Sequence, residues 1–232
     1  MKRLAVLFSV FAAAVAAPLA HADGPVLVEL FASKNCRSCP AAYKAMDELE
    51  AQRDDVRVLT WPVDYWDYLG SKEKMALPES KDRQRGYVER FSLRGPYTPQ
   101  AVFNGVKQAP GNKASKVGAA FSEAQAQPDS GIRLVSKNGN VSLKGETGSL
   151  TDLWWVTYLK DEDNQTKMPN PVTSARQIGP WLGGRADIEL PACESGCIQS
   201  ICEIWNAQPL ARSLIAAPRW APSPASIARK VM

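Results

Sequence analysis

Two cysteines, Cys36 and Cys39, stand two residues apart in the stretch Asn35-Cys36-Arg37-Ser38-Cys39-Pro40. An almost continuous apolar run, Pro25 to Ala32, precedes them, and a helix-forming segment, Cys39 to Ala51, follows. A thiol at the start of a helix meets unpaired backbone N–H groups and the positive end of the helix dipole, which favour thiolate over thiol. Arg37 adds positive charge beside it. The spacing points to thiol–disulfide exchange, with Cys36 attacking and Cys39, one turn in and less exposed, resolving the mixed disulfide. Three other uses compete. A structural disulfide over so short a loop removes little chain entropy. A metal site calls for four ligands, which two thiolates do not supply unless the other cysteines join. Inert buried thiols do not suit a junction between loop and helix.

The N-terminus sets the redox compartment in which this pair is expected to work. Lys2 and Arg3 precede an apolar run from Leu4 to Ala17, and Ala20-His21-Ala22 has the small-residue pattern of a cleavage site. A membrane-spanning helix needs about 20 apolar residues, and this run is shorter and ends at Pro18. Residues 1–22 are therefore expected to be a signal peptide, cleaved near Ala22 to leave a periplasmic or secreted chain. No later segment is long and apolar enough to span a bilayer. Cleavage removes His21, the single histidine. That excludes Ser-His-Asp and Cys-His catalysis and zinc sites of mixed Cys/His type. It also leaves 26 basic against 24 acidic residues, a net charge of +2. So small a charge is no footprint for nucleic acid or anionic lipid. No cofactor is expected.

The elements that position the pair read as α/β. Pro25 to Ala32 is a strand buried on both faces, Cys39 to Ala51 a helix, and Val56 to Trp61 a second, parallel strand: a βαβ unit. An acidic-aromatic loop, Pro62 to Gly70, leads to a helix from about Glu79 to Phe91. Tyr97-Thr98-Pro99-Gln100 introduces a strand that turns at Asn104-Gly105, a strong hairpin signal, before a closing helix from Lys113 to Gln125. A proline after Thr98 and directly before a strand suits a cis X–Pro turn. Beyond Gln127-Pro128-Asp129 the pattern becomes mostly β. Strands Ile132 to Val135 and Val141 to Lys144 flank Asn138-Gly139, Leu153 to Leu159 forms another, and Ile198 to Trp205 the last. Met168 to Gly184 reads as a Pro- and Gly-punctuated connection. The division is thus 23–128 for an α/β domain, 129–206 for a β-rich appendage and 207–232 for a tail.

Cys36-x-x-Cys39 at a helix start, with Thr98-Pro99-Gln100-Ala101-Val102-Phe103-Asn104-Gly105 downstream, resembles the thioredoxin superfamily and its Dsb-type periplasmic branch. Val28 to Ser33, Cys36 to Pro40, Val63 to Gly70, Arg83-Gln84-Arg85-x-Tyr87 and Tyr97 to Gln100 resemble one exported bacterial thioredoxin-like family in particular, domain of unknown function twelve twenty-three. The resemblance covers residues 26 to 110 closely and the β-rich part loosely. It implies a thioredoxin-like domain in which Pro99 is cis and faces the disulfide, with Thr98 before it. It also implies that Glu29, on the first strand, relays the proton of the resolving thiol. A carboxyl in so apolar a run is expected to hold its proton unusually tightly, which suits that work.

Among the aromatic residues, Asp64 to Tyr68 either line a groove beside Cys36 or pack as a corner sealing the second strand. Arg37, Tyr65, Trp66 and Tyr97 are the candidates for gripping a substrate chain. The basic residues Lys81, Arg83, Arg85 and Arg90 alternate with acids and read as a solvated helix face. The reading as a whole is a periplasmic oxidoreductase of protein thiols, coupled to an unidentified redox partner, with the direction of exchange open. A copper-handling thiolate protein and an interaction module with a vestigial site are the alternatives.

Five cysteines leave one unpaired within the chain. Cys193, Cys197 and Cys202 form the second cluster, and three soft thiolates suit copper(I) as an alternative to a disulfide. If Ile198 to Trp205 is extended, Cys197 and Cys202 stand roughly 16 Å apart, beyond the reach of a disulfide of about 7 Å. Glu194-Ser195-Gly196 is a turn-forming tripeptide that can bring Cys193 back to Cys197. Peptide mapping of the non-reduced protein is expected to recover a Cys193–Cys197 link with Cys202 unlabelled in the native state; a Cys193–Cys202 link would show that the strand assignment fails.

Overall fold

The computed structural model describes residues 25–128, 130–137, 140–148, 150–159, 164–189, 199–205 and 215–216. The segment expected to be a signal peptide, the Asn138-Gly139 turn and the Cys193–Cys197 pair lie outside the described residues. Four strands form the first sheet: β1 (Val26–Ala32), β2 (Val56–Pro62), β3 (Gln100–Phe103) and β4 (Lys107–Pro110), in the order β2-β1-β3-β4. β1 runs parallel to β2 and antiparallel to β3, and β3 and β4 form a hairpin. The hairpin turns through Asn104 and Gly105, both with positive φ (47° and 63°), the conformation that Asn-Gly tolerates best. Asn104 also ties the turn to β1: its backbone N–H donates to the Leu27 carbonyl, and its side-chain oxygen accepts from the Leu27 N–H, each at 2.8 Å.

Because β1 is central, its alternate residues serve two cores. Val26, Val28, Leu30 and Ala32 face α1 (Cys39–Ala51) and α3 (Ala114–Gln125), where Ala42, Met46, Val117 and Phe121 bury against them together with both cysteines. Leu27 and Phe31 face the opposite side, with Leu59, Trp61 and Val102, under α2 (Pro78–Arg90). Each large side chain fully buried in this way contributes roughly 1.5–3 kcal/mol.

α2 covers its side of the sheet with polar groups. Its buried residues are Ser80, Arg83, Gln84 and Tyr87. Arg83 is not on a solvated face, as its place in a charge run suggests, but 5% exposed and ion-paired with the fully buried Glu29. The guanidinium donates twice to that carboxylate, once at 2.8 Å, the Tyr87 hydroxyl donates a third bond, and the Trp61 ring lies 5.2 Å from the guanidinium carbon. Beside this group, Gln84 donates to the Tyr97 carbonyl (2.9 Å) and to Gln100 (3.0 Å).

The β-rich region holds two sheets, β11-β10-β7-β8 and β5-β6-β9. Their strands are β5 (Arg133–Lys137), β6 (Asn140–Gly145), β7 (Thr151–Tyr158), β8 (Val172–Trp181), β9 (Gly184–Glu189), β10 (Gln199–Trp205) and β11 (Ile215–Ala216). β8 runs through the stretch read as a connection, and β11 lies in the stretch read as a tail. Ile132, Leu143, Leu153 and Trp181 form a core of their own, whereas Val156, Tyr158 and Val172 join Leu27, Phe31 and Trp61 in the core beneath α2. The junction closes on the outer edge of β2. Thr60 bridges Pro171 in parallel fashion and donates its N–H to Asn170 (3.1 Å), and the Asn170 side chain donates to the Val58 carbonyl (2.9 Å).

Replacing Arg83 by Met leaves the Glu29 charge buried without its cation. We expect Arg83→Met to lower the unfolding free energy in urea by about 3–5 kcal/mol, and Glu29→Leu combined with Arg83→Met to recover most of that loss. Equal losses in the single and double variants would show that stability does not depend on the pair.

Candidate functional site

Cys36 and Cys39 are joined as a disulfide, with Cα atoms 5.4 Å apart. Two successive turns present them: the Cys36 N–H donates to Ser33, and the Cys39 N–H to Cys36, both at 3.1 Å. Cys39 is thus the first residue of α1, and Cys36 lies in the turn before it. Cys36 is more enclosed than a helix-start position suggests, at 5% exposed, but it remains the accessible member of the pair, since Cys39 is fully buried. Ser38 occupies the N-cap without capping the helix, and its hydroxyl stands 3.6 Å from the Cys36 sulfur. The first turn of α1 carries no acidic residue. No acidic side chain of that turn therefore competes for the positive end of its dipole, where a thiolate is favoured.

Two further segments close around the pair. Loop 63–73 after β2 is stitched to the cysteine turn: the Asn35 amide donates to Ser71 (2.8 Å), the buried Glu73 carboxylate accepts from the Lys34 N–H (3.1 Å), and Asp67 accepts from the Glu73 N–H (2.9 Å). From this loop Trp66 packs against the core cluster that holds Cys36 and Cys39 and donates its indole N–H to the Thr98 hydroxyl at 2.7 Å. The second segment is the Thr98–Pro99 turn, whose peptide bond is cis. Gly111 lies where this turn meets α1. A β-carbon there would stand 3.0 Å from Leu30, 3.2 Å from Ala42 and 3.6 Å from Pro99, so a side chain would press on Leu30 and Ala42.

The proposed site residues divide accordingly. Trp66 packs on the cluster that holds Cys36 and Cys39 and bonds Thr98, and Pro99 lies near Ala42 of α1 at Gly111. Glu29 does not join them. It alternates with Val28 and Leu30, which face α1, and so projects to the α2 side of the sheet, into the ion pair with Arg83. The structure thus corrects the expectation of a proton relay at Glu29, because strand alternation turns this side chain away from the thiols. Arg37 is exposed beside the pair. The Tyr97 phenol bonds the Gln108 side chain on β4, and burial pushes it up to about 12. Burial likewise pushes the Tyr65 phenol up to about 12, with Gln84 and Thr98 close enough to pull it back in part. In the acidic-aromatic loop Trp66 packs inward while Tyr68 and Leu69 stand exposed. Sequence reasoning missed Ser38, Glu73, Gln84 and Gly111. Only Gln84 carried a signal, within Arg83-Gln84-Arg85-x-Tyr87. On α1, one turn from Cys39, Tyr43 is raised by burial and then by the Glu73 charge. Among the described residues no group of three or more His, Cys, Asp or Glu gathers as a metal site, and no helix is long and apolar enough to cross a membrane.

The family described as "Protein of unknown function (DUF1223)" matches residues 27–195. The crystal structure of protein AGR_C_4864 from Agrobacterium tumefaciens is similar, with a TM-score of 0.67 and 26% identity over 87% of this chain and 98% of that one. HBP35 of Porphyromonas gingivalis shares the fold alone, with a TM-score of 0.51 and 11% identity over 87% of this chain and 79% of its own. No curated protein matches the sequence. The first sheet with its three helices is a thioredoxin-like fold bearing a CxxC pair, followed by a β-rich region.

The two phenols near 12 give a pH dependence with a definite sign. Unfolded, each titrates near 10, so the folded state holds protons that the unfolded state releases. Their contribution to stability is complete below about pH 10 and is lost as the pH rises from about 10 to 12. Tyrosinate absorbance should therefore show, besides the raised Tyr43 phenol, two phenols titrating near 12, one removed by Tyr65→Phe and the other by Tyr97→Phe. Titration of both near 10 in the native protein would contradict their burial.

Proposed function

The chain belongs to the DUF1223 family, and from that premise we propose that it exchanges disulfides with protein thiols through Cys36 and Cys39. The observation that carries this reading is the disulfide at the head of α1, with Cys36 the more exposed sulfur and no carboxylate in the first turn. In the reducing direction the Cys36 thiolate attacks one sulfur of a substrate disulfide. The substrate S–S bond breaks, a mixed disulfide forms, and the departing substrate sulfur takes a proton. Cys39, deprotonated, then attacks the Cys36 sulfur, re-forming the internal disulfide and releasing the second substrate thiol. Two electrons pass from the pair to the substrate. Every step is reversible, and the potential of the pair against that of its redox partner sets the direction.

In this reading Trp66, which packs on the cluster holding the cysteines, and Thr98 and Pro99 belong to the binding surface. Arg37, exposed beside Cys36, adds positive charge that favours its thiolate. The apolar segment Leu4 to Ala17, ahead of Ala20-His21-Ala22, would carry the chain to the periplasm, where a disulfide persists.

Cys36→Ser is expected to abolish reduction of a small disulfide-containing protein by dithiothreitol above the uncatalysed rate. Cys39→Ser is expected to accumulate adducts that run as mixed disulfides on a non-reducing gel and disappear with reductant. If Cys39 in the reduced wild type alkylates faster than Cys36 near neutral pH, the assignment of attacking and resolving thiols is wrong.

A further inference from the structure

We propose that a cleft at the far end of α1 from the disulfide binds a short zwitterionic peptide through its terminal carboxylate and ammonium, independently of any exchange at the cysteines. The cleft lies between the last turn of α1, the start of β2 and residues 164–170, with a volume of about 640 Å³. Ligand pockets run from about 300 to 1,000 Å³, so this one has room for several residues rather than a lone ion. α1 is 13 residues long, which puts the cleft roughly 20 Å from Cys39. Arg57 supplies the carboxylate end. Its Nη1 donates to Glu50, whose other oxygen accepts from Asn170 at 2.7 Å, so Glu50 is filled and the guanidinium is held in place. The Nε/Nη2 edge, with which Arg83 grips Glu29 and Arg53 grips Asp55, meets no acceptor on Arg57 among the described residues. Nε is a buried donor without a partner, which costs free energy until an acceptor closes over it. A carboxylate matches that fork with two parallel bonds. Lys167, exposed and ion-paired with no described residue, adds a second positive charge. It sits in a built turn, where Asn164 donates to the Met168 carbonyl (2.7 Å) and accepts from the Thr166 hydroxyl (2.6 Å). α1 supplies the ammonium end. Its last turn carries no basic residue, which leaves the negative end of its dipole uncompensated. Asp54, exposed and ion-paired with no described residue, follows just beyond. The cleft's charged residues are three acids (Asp47, Glu50, Asp54) and three bases (Arg53, Arg57, Lys167). That balance opposes a polyanion and suits a ligand that is neutral overall with its charges at two ends.

The test is calorimetric titration of the oxidised protein with trialanine, its C-terminal amide, its N-acetyl form and inorganic phosphate. Trialanine is expected to bind with a dissociation constant below about 1 mM. The amide should bind about tenfold more weakly, because the fork loses its bidentate partner. The acetylated peptide should bind about two- to fivefold more weakly, the loss of one exposed charge contact. Arg57→Lys keeps the charge beside Glu50 and removes the fork, so it should weaken trialanine about tenfold and narrow the gap between acid and amide. Asp54→Asn, at an exposed position, should match the effect of acetylation and add nothing to it. Where Arg57→Lys fails to fold by circular dichroism, Asp54→Asn and the peptide series decide the matter on their own. No binding of trialanine up to about 10 mM would overturn the proposal. So would equal binding of acid and amide, phosphate binding more tightly than the peptide, or a folded Arg57→Lys with unchanged affinity.

Discussion

A carboxylate on the central strand of a sheet has to be neutralised where it lies, and the fold is arranged so that this happens. Glu29 is fully buried, pairs across β1 with Leu59 and Val102, and meets Arg83 and Tyr87 from α2. Desolvating such a pair costs about as much as its attraction returns, so its presence fixes geometry more than it adds stability. α2 is held over one place on the sheet because only there does its guanidinium reach Glu29. That placement sets Gln84 one residue on, where it grips the Tyr97 carbonyl and Gln100. The turn bearing Thr98 and Pro99 is therefore registered to the sheet from beneath by the same helix face.

The thiol site lies on the other side of the sheet, and its parts come from segments far apart in the chain. β1 delivers the cysteine turn, β2 delivers the loop with Trp66, and β3 is preceded by Thr98–Pro99. All three open at one end of the sheet because β1 and β2 are parallel and β3 is antiparallel to β1. Hydrogen bonds between loops, rather than a shared element, then hold the distances. Asn35, Glu73 and Trp66 each join two of the segments. This explains why α1 needs no side-chain cap. Its N-terminal turn is positioned by its neighbours, and the Ser38 hydroxyl is left beside the Cys36 sulfur.

The βαβ unit, the Asn104-Gly105 hairpin and the cysteine pair were legible because each has a strong local signature: a continuous apolar run, a turn dipeptide, a fixed spacing. α2 was legible as a helix but not for what it buries, since a charged helix with Ser80, Arg83, Gln84 and Tyr87 inward has the composition of a solvated one. The partner that draws Arg83 inward, Glu29, is 54 residues away and leaves no mark in a local pattern. The three strands missed in the β-rich region, β8, β9 and the two-residue β11, are all sheet edges. β8 buries mainly its ends and contains Gly179 and Pro180, and β9 (Gly184–Glu189) is largely polar, so neither alternates as a half-buried strand does. Glu29 was misplaced for a simpler reason. Its strand was correctly read, but an apolar residue at every other position conceals which face a lone carboxylate takes.

The bond pattern at the outer edge of β2 bears on the order in which the chain acquires its shape. Val58 and Thr60 present their free edge groups to Asn170 and Pro171, and the Thr60 hydroxyl reaches the Pro169 carbonyl, 109 positions later in sequence. Synthesis proceeds from the N-terminus, so the first sheet can assemble from residues 26–110 well before its covering strap exists. Through that interval β2 is an open edge, able to template pairing with another chain. Arrival of residues 169–172 closes it. Closing so long a loop is slow, though the added length costs only a little more entropy than a short one would. The β-rich region therefore acts as a late cover for a sheet edge, and a chain ending before Pro169 would retain Cys36 and Cys39 yet present that edge to its neighbours.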